Sequence, residues 1–270
     1  MFNAIKTGSP VIIQKSGRKN KLKVKRILVS QPQPSDLERS PYGELSQKYK
    51  VSIDFKKFIK IEGITASEFR KDKVYIQEHT AVIFTSRNAV DHFFRIAKEM
   101  RVEIVDSMKY FCISEAIAFY LQKYVQFRKR KIFSGIQSFD DLMDIITKHK
   151  EEKFLLPCSD VHNTSVIESL EENEINFSKA VIYKTVASEI NDIDIRNYDM
   201  LVFFSPTGVK SLFKNFPGFT QNSTLIGAFG ATTISAAKEN GLKVDIDAPT
   251  KTALSMTDAI DQYLHSICKR

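Results

Sequence analysis

One layout occurs twice in this chain, and this repeat constrains the fold more than any other feature of the sequence. The segments AVIFTSRNAVDHFF (81–94) and MLVFFSPTGVKSLF (200–213) each run from a short apolar stretch through a serine into a helical apolar pattern. Ser114 and Gly230 form another matched pair, again about 120 residues apart. A repeat this long indicates a duplicated domain rather than a solenoid. Two similar lobes usually leave a cleft, so a ligand held between lobes is the first functional hypothesis.

The composition is that of a globular protein with two domains. The chain has 270 residues, of which 43% are hydrophobic and 20 are Phe, enough for two cores. No apolar run approaches the roughly 20 residues of a membrane-spanning helix. The only apolar run near the N-terminus, PVII, is too short for a signal-peptide core. These features predict a cytoplasmic protein without a membrane partner.

The sequence offers no pattern typical of a metal, a disulfide framework or a nucleotide cofactor. Cys112, Cys158 and Cys268 lack CxxC spacing, and the five His lack metal-ligand spacing. There is neither a GxGxxG motif nor a Walker lysine. We therefore expect no metal and no cofactor, and we interpret Cys158 as a buried thiol.

The positive charge is concentrated at the N-terminus. The chain carries a net charge of +8, and residues 1–26 contain eight Lys and Arg but no acidic residue. The rest of the chain is therefore close to neutral. A basic arm can bind RNA or a membrane surface. No aromatic residues alternate with these cations as single-strand binding would require, so we predict a disordered arm over 1–24 and no nucleic-acid partner.

Strand and helix patterns alternate along the rest of the chain, which predicts an α/β fold with doubly wound parallel sheets. The pattern groups into units A (27–60), B (81–146), A′ (154–186) and B′ (199–264). The alternating segment KVSIDFKKFIKI (50–61) is predicted as one strand. Periodicity leaves two arrangements open, because A can fold with B, or A with B′ and B with A′.

Candidate binding residues follow the strands of both repeats. Ligands in parallel α/β sheets bind beyond the carboxyl ends of the strands. Ser86 and Ser205 each stand between a strand and a helix, where free backbone N–H groups can bind a carboxylate or phosphate. Plain helix capping is the alternative. The predicted binding residues are Ser86, Arg87, Asn88, Ser114, Ser159, Asp160, Ser205, Pro206, Thr207, Gly208, Gly230, Ala231 and Thr232.

Two further residues have candidate chemical roles. Tyr183 ends a strand, and with a reference pKa near 10 its protonated hydroxyl can help a hydroxide leave. A tyrosine of the core is the alternative. Thr233 follows the turn Phe229-Gly230-Ala231, and threonines at such a helix start serve either a ligand or the cap.

With these motifs in this order, the sequence resembles the uroporphyrinogen-III synthase family. The resemblance extends from about Lys25 to Leu264. It is carried by VIFTSRNAV (82–90), FLLPCSD (154–160), VIYKTV (181–186), FFSPTGV (203–209), FGATT (229–233) and APT (248–250).

The resemblance implies the second arrangement, in which A packs with B′ and B with A′. Lobe 1 then comprises residues 25–57 plus 189–270, and lobe 2 comprises residues 62–183. Two side-by-side strands near 57–61 and 183–188 would form a two-stranded linker between the lobes, with the cleft between them.

The resemblance also implies a reaction. Linear hydroxymethylbilane would lose its terminal hydroxyl and close to uroporphyrinogen III with ring D inverted, without metal or cofactor. Tyr183 matches the Tyr of the family's YxT motif, which hydrogen-bonds the leaving hydroxyl; Thr233 matches the second Thr of its GxTT element, and Ser205 matches a strand-end Ser. Ser114 and Ile117 stand where the family often has Gly and Thr.

The implied partners are the substrate and, transiently, the preceding and following pathway enzymes, with the protein itself a monomer. A non-catalytic two-lobed sensor of a tetrapyrrole or another polycarboxylate is the alternative function.

Overall fold

The structure is a computed structural model that describes residues 24–126, 128–136, 138–161 and 164–268. The predicted basic arm over 1–24 therefore lies outside the described residues except for Val24. Within the described ranges, no helix combines the length and the apolar character needed to cross a membrane.

Strands and helices alternate through the described chain, as the sequence patterns predict. The strands are β1 Arg26–Val29, β2 Ser52–Phe55, β3 Ile59–Gly63, β4 Ala81–Phe84, β5 Lys109–Cys112, β6 Ile132–Ser134, β7 Phe154–Ser159, β8 Phe177–Ala187, β9 Met200–Phe203, β10 Leu225–Phe229 and β11 Ile246–Ala248. The α-helices are α1 Pro41–Tyr49, α2 Ala66–Lys71, α3 Arg87–Glu99, α4 Glu115–Leu121, α5 Phe139–Ile146, α6 Thr164–Glu172, α7 Pro206–Asn215, α8 Ala231–Glu239 and α9 Met256–Cys268.

The first sheet contains, among the described residues, five parallel strands in the order β11-β10-β9-β1-β2. Ile27 in β1 pairs with Ile53 on one side and with Met200 of the central strand β9 on the other. All four residues of β9 are buried, as expected for a parallel strand covered on both faces.

The second sheet contains six strands within the described ranges, in the order β3-β8-β7-β4-β5-β6. All of its pairings are parallel except that of β3 with β8. The two sheets thus combine A with B′ and B with A′, the arrangement that the resemblance implied and that periodicity left open. The long strand β8 pairs with β7 in its first part and with β3 from Tyr183 to Ala187. The strands β3 and β8 therefore lie side by side.

The segment 50–61 forms two strands, and the prediction of a single strand is wrong. Residues 52–55 form β2 in the first sheet, whereas β3 begins at Ile59 in the second. Phe58 between them is 1% exposed. The apolar alternation continues across the break although Ile61 in β3 is 40% exposed, so the sequence pattern does not reveal that the chain changes sheets.

The chain divides into two compact units, which among the described residues are 24–56, 194–204 and 220–268 for unit 1, and 57–193 and 205–219 for unit 2. Residues 205–219, which the predicted domains place in lobe 1, group with unit 2. The reason is that α7 packs against β8. The Asn215 side chain fixes this contact, since it donates to the Ser188 carbonyl at 2.8 Å and accepts from the Ile190 N–H at 3.0 Å.

Among the described residues of unit 2, His79 is buried with half of its hydrogen-bonding capacity unused. His79 is 4% exposed, and its Nδ1 lies 2.8 Å from the Tyr75 carbonyl, so Nδ1 is the protonated nitrogen. Its Nε2 is buried with no hydrogen-bond partner among the described residues. Burial lowers the pKa of His79, and the nearby Lys153 charge acts in the same direction.

This histidine should make the protein less stable in mild acid. Because its pKa in the folded state lies below the unfolded value of about 6.5, the unfolded state binds the extra proton as the pH falls through that value. We expect the free energy of unfolding to fall from pH 7 to pH 5.5, by at most about 1.4 kcal/mol per pH unit from this residue. Denaturant titrations at several pH values measure it.

The variant His79→Asn keeps an amide donor for the Tyr75 carbonyl but cannot titrate. Its stability should therefore change less between pH 7 and pH 5.5 than that of the wild type. Equal slopes for wild type and His79→Asn would contradict the assignment.

Candidate functional site

The carboxyl edge of the second sheet brings together most of the predicted site residues of unit 2. Ser86 and Ser114 follow the parallel strands β4 and β5, and Ser159 ends β7. Tyr183 in β8 pairs with Ser159, which places it at the same edge. Parallel strands direct these residues to one side because their carboxyl ends point the same way.

Ser86 caps helix α3. Its Oγ accepts a hydrogen bond from the Ala89 N–H at 3.0 Å, and its backbone is extended. The N–H groups of Arg87 and Asn88 lie in the first turn of α3, where the helix itself offers them no carbonyl acceptor. Both residues are exposed. This helix start therefore presents two donors and the positive end of a helix dipole to an anion.

Tyr183 and Ser86 are joined at this edge. The Tyr183 Oη lies 3.2 Å from the Ser86 Oγ, and either oxygen can be the donor. The tyrosine is 7% exposed. Burial raises its pKa above 10, although the Ser86 hydrogen bond acts in the opposite direction. Tyr183 is therefore a neutral hydroxyl at physiological pH, able to donate a proton in a hydrogen bond.

His92 lies against Tyr183, a contact that the sequence analysis missed. The two rings stack with centroids 5.2 Å apart and planes inclined by 23°. Burial and then the charge of Arg95 lower the pKa of His92, so the imidazole is neutral near pH 7. The Arg95 Nε–H donates to His92 Nδ1 at 3.1 Å, which leaves the ring proton on Nε2.

Arg95 ties this stack to the edge strands of the sheet. Its Nη2 donates to the carbonyls of Ile64 and Ile182 at 2.8 and 3.1 Å, and its Nη1 binds Glu99 at 2.6 Å. A Cβ at Gly63 would lie 2.6 Å from the Arg95 Cζ, so glycine is needed there for the guanidinium to approach β3. The only sequence signal for these contacts was the spacing of three residues between His92 and Arg95, typical of neighbours on a helix.

Asp160 fixes the backbone beside Tyr183. Its Oδ1 accepts from the Ser159 hydroxyl at 2.8 Å and from the N–H groups of Val161 and Thr185 at 2.9 and 3.0 Å. Partial burial opposes ionisation, but these hydrogen bonds outweigh it and lower the pKa of Asp160. The ionised carboxylate thus holds the end of β7 against β8 and already has three donors.

Ser114 and Arg87 are less closely tied to Tyr183. Ser114 stands at the N-cap position of α4, but its side chain makes no capping hydrogen bond. Ile117 in that helix is buried. The Arg87 guanidinium lies 5.4 Å from the centroid of the Tyr120 ring, an exposed cation–π contact.

The second serine motif also forms a helix start. The Ser205 Oγ accepts from the Gly208 N–H at 3.1 Å, and Pro206 occupies the first turn of α7. Proline has no N–H, so Thr207 supplies the first-turn donor that remains. Ser205 and Ser86 thus have the same local geometry, as the repeat predicts.

In unit 1, the turn over Gly230 leads into α8. Gly230 has φ +86°, a conformation that favours glycine, and it precedes the exposed residues Ala231 and Thr232. Their N–H groups lie in the first helical turn, where an anion can bind. Thr233 is 1% exposed. The residue that faces solvent at this turn is therefore Thr232, and Thr233 packs inside the unit.

Two further groups carry side chains that could react or bind a metal. Cys158 is buried, and desolvation raises its pKa to about 11, so it is an unreactive thiol at neutral pH. The ligand atoms of His149, Glu151 and Glu152 lie within 4.8 Å of one another. The Lys109 ammonium lies 2.5 Å from Glu152, so a lysine already balances this acidic pair.

Comparison with known proteins identifies the relatives of this chain. The family model described as uroporphyrinogen-III synthase HemD matches residues 58–258. The uroporphyrinogen-III synthetase of Helicobacter pylori has a similar structure, with TM-score 0.50 and 17% identity, covering 90% of this chain and 99% of that chain. A mutant uroporphyrinogen III synthase of Thermus thermophilus aligns with TM-score 0.45 and 13% identity, over 91% of this chain and 100% of that chain. No curated protein sequence matches this chain.

Proposed function

Because the chain belongs to the uroporphyrinogen-III synthase family of cyclising lyases, we propose that it closes hydroxymethylbilane to uroporphyrinogen III with loss of water and inversion of ring D. The observation that carries this proposal is the match of the family model over residues 58–258, a span that includes every predicted site residue. The geometry at the carboxyl edges supports particular roles for individual residues.

Helix starts are suited to hold the carboxylates of the substrate. The starts of α3, α7 and α8 present backbone N–H groups at Arg87, Asn88, Thr207, Ala231 and Thr232. Backbone donors bind carboxylates without adding strongly solvated cations to the site. We assign carboxylate binding to these groups and to their neighbours in the same turns or at the same sheet edge, namely Ser86, Ser114, Ser159, Ser205, Gly208 and Gly230. Pro206, which has no N–H, and Asp160, whose carboxylate is ionised, are proposed to shape the backbone beside these donors.

Tyr183 is the proposed donor to the departing hydroxyl. Its raised pKa keeps the phenol protonated, so its O–H can hydrogen-bond the hydroxyl oxygen as the carbon–oxygen bond breaks. In the structure the Tyr183 hydroxyl lies against the Ser86 hydroxyl. When the substrate takes the place of Ser86 as partner, the Tyr183 O–H would point to the leaving hydroxyl instead.

The surroundings of Tyr183 suit the formation of a cation. The hydroxyl leaves as water with a proton supplied through Tyr183, and the substrate becomes a delocalised cation. The cation forms a carbon–carbon bond to ring D to give a spiro intermediate, one bond to that ring then breaks and re-forms at the other carbon, and the closed ring loses a proton that replaces the one used. His92 beside the tyrosine is neutral and adds no competing positive charge. The outcome of closure depends on how the chain is folded in the site, so the main contribution of the protein is orientation.

Product analysis tests the proposal directly. Purified protein is added to freshly generated hydroxymethylbilane, the products are oxidised, and the isomers are separated by chromatography. We expect isomer III in excess over a control without protein. Formation of isomer I alone, at the spontaneous rate and with substrate that a known synthase accepts, would overturn the proposal and favour a non-catalytic sensor.

We propose that the buried side chain of Thr233 positions the turn at the start of α8. Thr233→Val keeps the shape of the side chain and removes its hydroxyl, so we expect kcat/KM to fall about tenfold, or about 1.4 kcal/mol, while the melting temperature moves by only a few degrees. Thr233→Ser keeps the hydroxyl and should retain most activity. Isomer assays and thermal unfolding measure both effects.

The control for this pair is Ser235→Ala, an exposed position in the same helix, which should leave turnover unchanged. Loss of activity in Thr233→Ser that equals the loss in Thr233→Val would assign the position to packing alone. A collapse of the melting temperature in Thr233→Val would make the residue a structural cap.

A monomeric state, a cytoplasmic location and transient contact with the neighbouring pathway enzymes complete the proposal. Light scattering during size-exclusion chromatography tests the first of these, since a monomer should elute near 30.8 kDa.

A further inference from the structure

A pocket of about 380 Å³ opens at the amino edge of the second sheet, where β5 and β6 begin. Its floor includes the buried residues Met108, Tyr110 and Ile132, and Val105 at its side is 56% exposed. The candidate functional site follows the opposite ends of these parallel strands, so this pocket is separate from it. Its volume is within the range of small-molecule sites.

One wall of the pocket is a fixed aromatic surface. The rings of Phe94 and Tyr124 stack with centroids 4.4 Å apart and planes inclined by 6°. The Tyr124 hydroxyl donates to Asp91 at 2.5 Å, which holds the ring in place. A rigid aromatic wall above an apolar floor suits a flat, apolar ring system.

Two cations line the same pocket. Arg128 Nη1 and Lys131 Nζ lie 2.9 and 2.8 Å from one oxygen, the Oδ2 of Asp106. The Lys131 N–H donates to the Arg128 carbonyl, and the Tyr110 N–H donates to the Lys131 carbonyl at 2.7 Å. The backbone carrying both cations is therefore tied to β5, and the two side chains converge on a single carboxylate position.

The carboxylate that now occupies this position is only loosely held. The Asp106 side chain is 81% exposed, and ion pairs this exposed contribute little to stability. Rotation of Asp106 into solvent would leave two cations facing an apolar pocket with no acid between them. A ligand with a carboxylate on an aromatic ring would match both features.

We propose that this pocket binds a small aromatic carboxylate, with its ring in the apolar pocket beside Tyr124 and its carboxylate replacing that of Asp106 between Arg128 and Lys131. The site is independent of the cyclisation chemistry, because its residues lie at the other edge of the sheet. It would give unit 2 a second ligand site, for a metabolite much smaller than a linear tetrapyrrole.

Calorimetric titration of the full chain with 2-naphthoate tests the proposal, with naphthalene-2-carboxamide as the neutral analogue. We expect the carboxylate to bind at least tenfold more tightly than the amide. Asp106→Asn removes the competing carboxylate and should tighten naphthoate binding at least threefold. Lys131→Gln should weaken it about tenfold, whereas Lys129→Gln, a neighbour that does not line the pocket, should change it little.

Val105→Trp supplies an independent check of location. The position is exposed, so the fold should tolerate the larger side chain, which would fill the pocket and abolish binding. Absence of naphthoate binding to both wild type and Asp106→Asn would overturn the proposal. Equal binding of carboxylate and amide would also overturn it, as would full binding by Val105→Trp. Isomer III formation measured on the same variants should stay at the wild-type level, which separates this test from that of the proposed function.

Discussion

Replacing Tyr183 with phenylalanine should lower turnover at least about tenfold, equivalent to about 1.4 kcal/mol or more in the barrier. The substitution removes the hydroxyl that we assign to the departing oxygen and keeps the ring that stacks on His92. Among the described residues, the hydroxyl has one hydrogen-bond contact to lose, the neutral one to Ser86 at 3.2 Å, so the change in stability should be about 1 kcal/mol. Formation rates of isomer III, corrected for the spontaneous reaction, measure the effect.

Tyr198→Phe is the matched control, because this tyrosine in unit 1 is also 7% exposed and should leave turnover near that of the wild type. The pH profile adds a second readout. Since burial raises the pKa of Tyr183 above 10, loss of its proton should not reduce activity below pH 10. Unchanged turnover in Tyr183→Phe would remove this residue from the mechanism.

Replacing Arg95 with methionine should cost about 2–3 kcal/mol of unfolding free energy, because hydrogen bonds from a charged donor to two partly buried carbonyls are lost. Methionine keeps most of the apolar stem, so the loss reflects the guanidinium. We also expect lower turnover, since the guanidinium that binds the His92 ring stacked on Tyr183 is removed. Denaturant titration and isomer assays measure these effects.

If Arg95 had a purely structural role, its replacement would not change the titration of His92. The Arg95 charge contributes to the low pKa of His92, so NMR titration of the ring should show that pKa rising towards its usual value in Arg95→Met. Lys98→Met makes the same change of charge at an exposed position of the same helix, and it should alter neither stability nor the His92 titration appreciably. An unshifted His92 pKa in Arg95→Met would contradict the assigned contact.

Local sequence patterns were sufficient to predict most of the secondary structure. They also predicted which candidate residues follow the carboxyl ends of the strands. Each buried apolar run of four residues became a strand, and Ser86 and Ser205 became the caps of α3 and α7. These features depend on neighbours within a few residues, so their physical cause is present in the local sequence. That Ser86 and Tyr183 belong to one sheet was implied only by the family resemblance, since periodicity left the pairing of B with A′ open.

Contacts distant in sequence were not predictable in the same way. Helix α7 was assigned to lobe 1 on the family resemblance, yet Asn215 attaches it to the end of β8. Of the two threonines at the start of α8, Thr233 is 1% exposed and Thr232 is exposed, a difference that their sequence does not reveal. In both cases, neighbours far away along the chain decide which face of the helix is covered.

The sequence by itself determined that this protein has a duplicated α/β architecture with serine-capped helix starts after its strands, because periodicity and capping are local properties. Only the tertiary structure decided that residues 50–61 divide between two sheets and that Arg95 and His92 lie beneath Tyr183. Strand partners and ring stacks form between segments far apart in the chain. Their geometry depends on sheet register and on the backbone space left at positions such as Gly63, which no local pattern records.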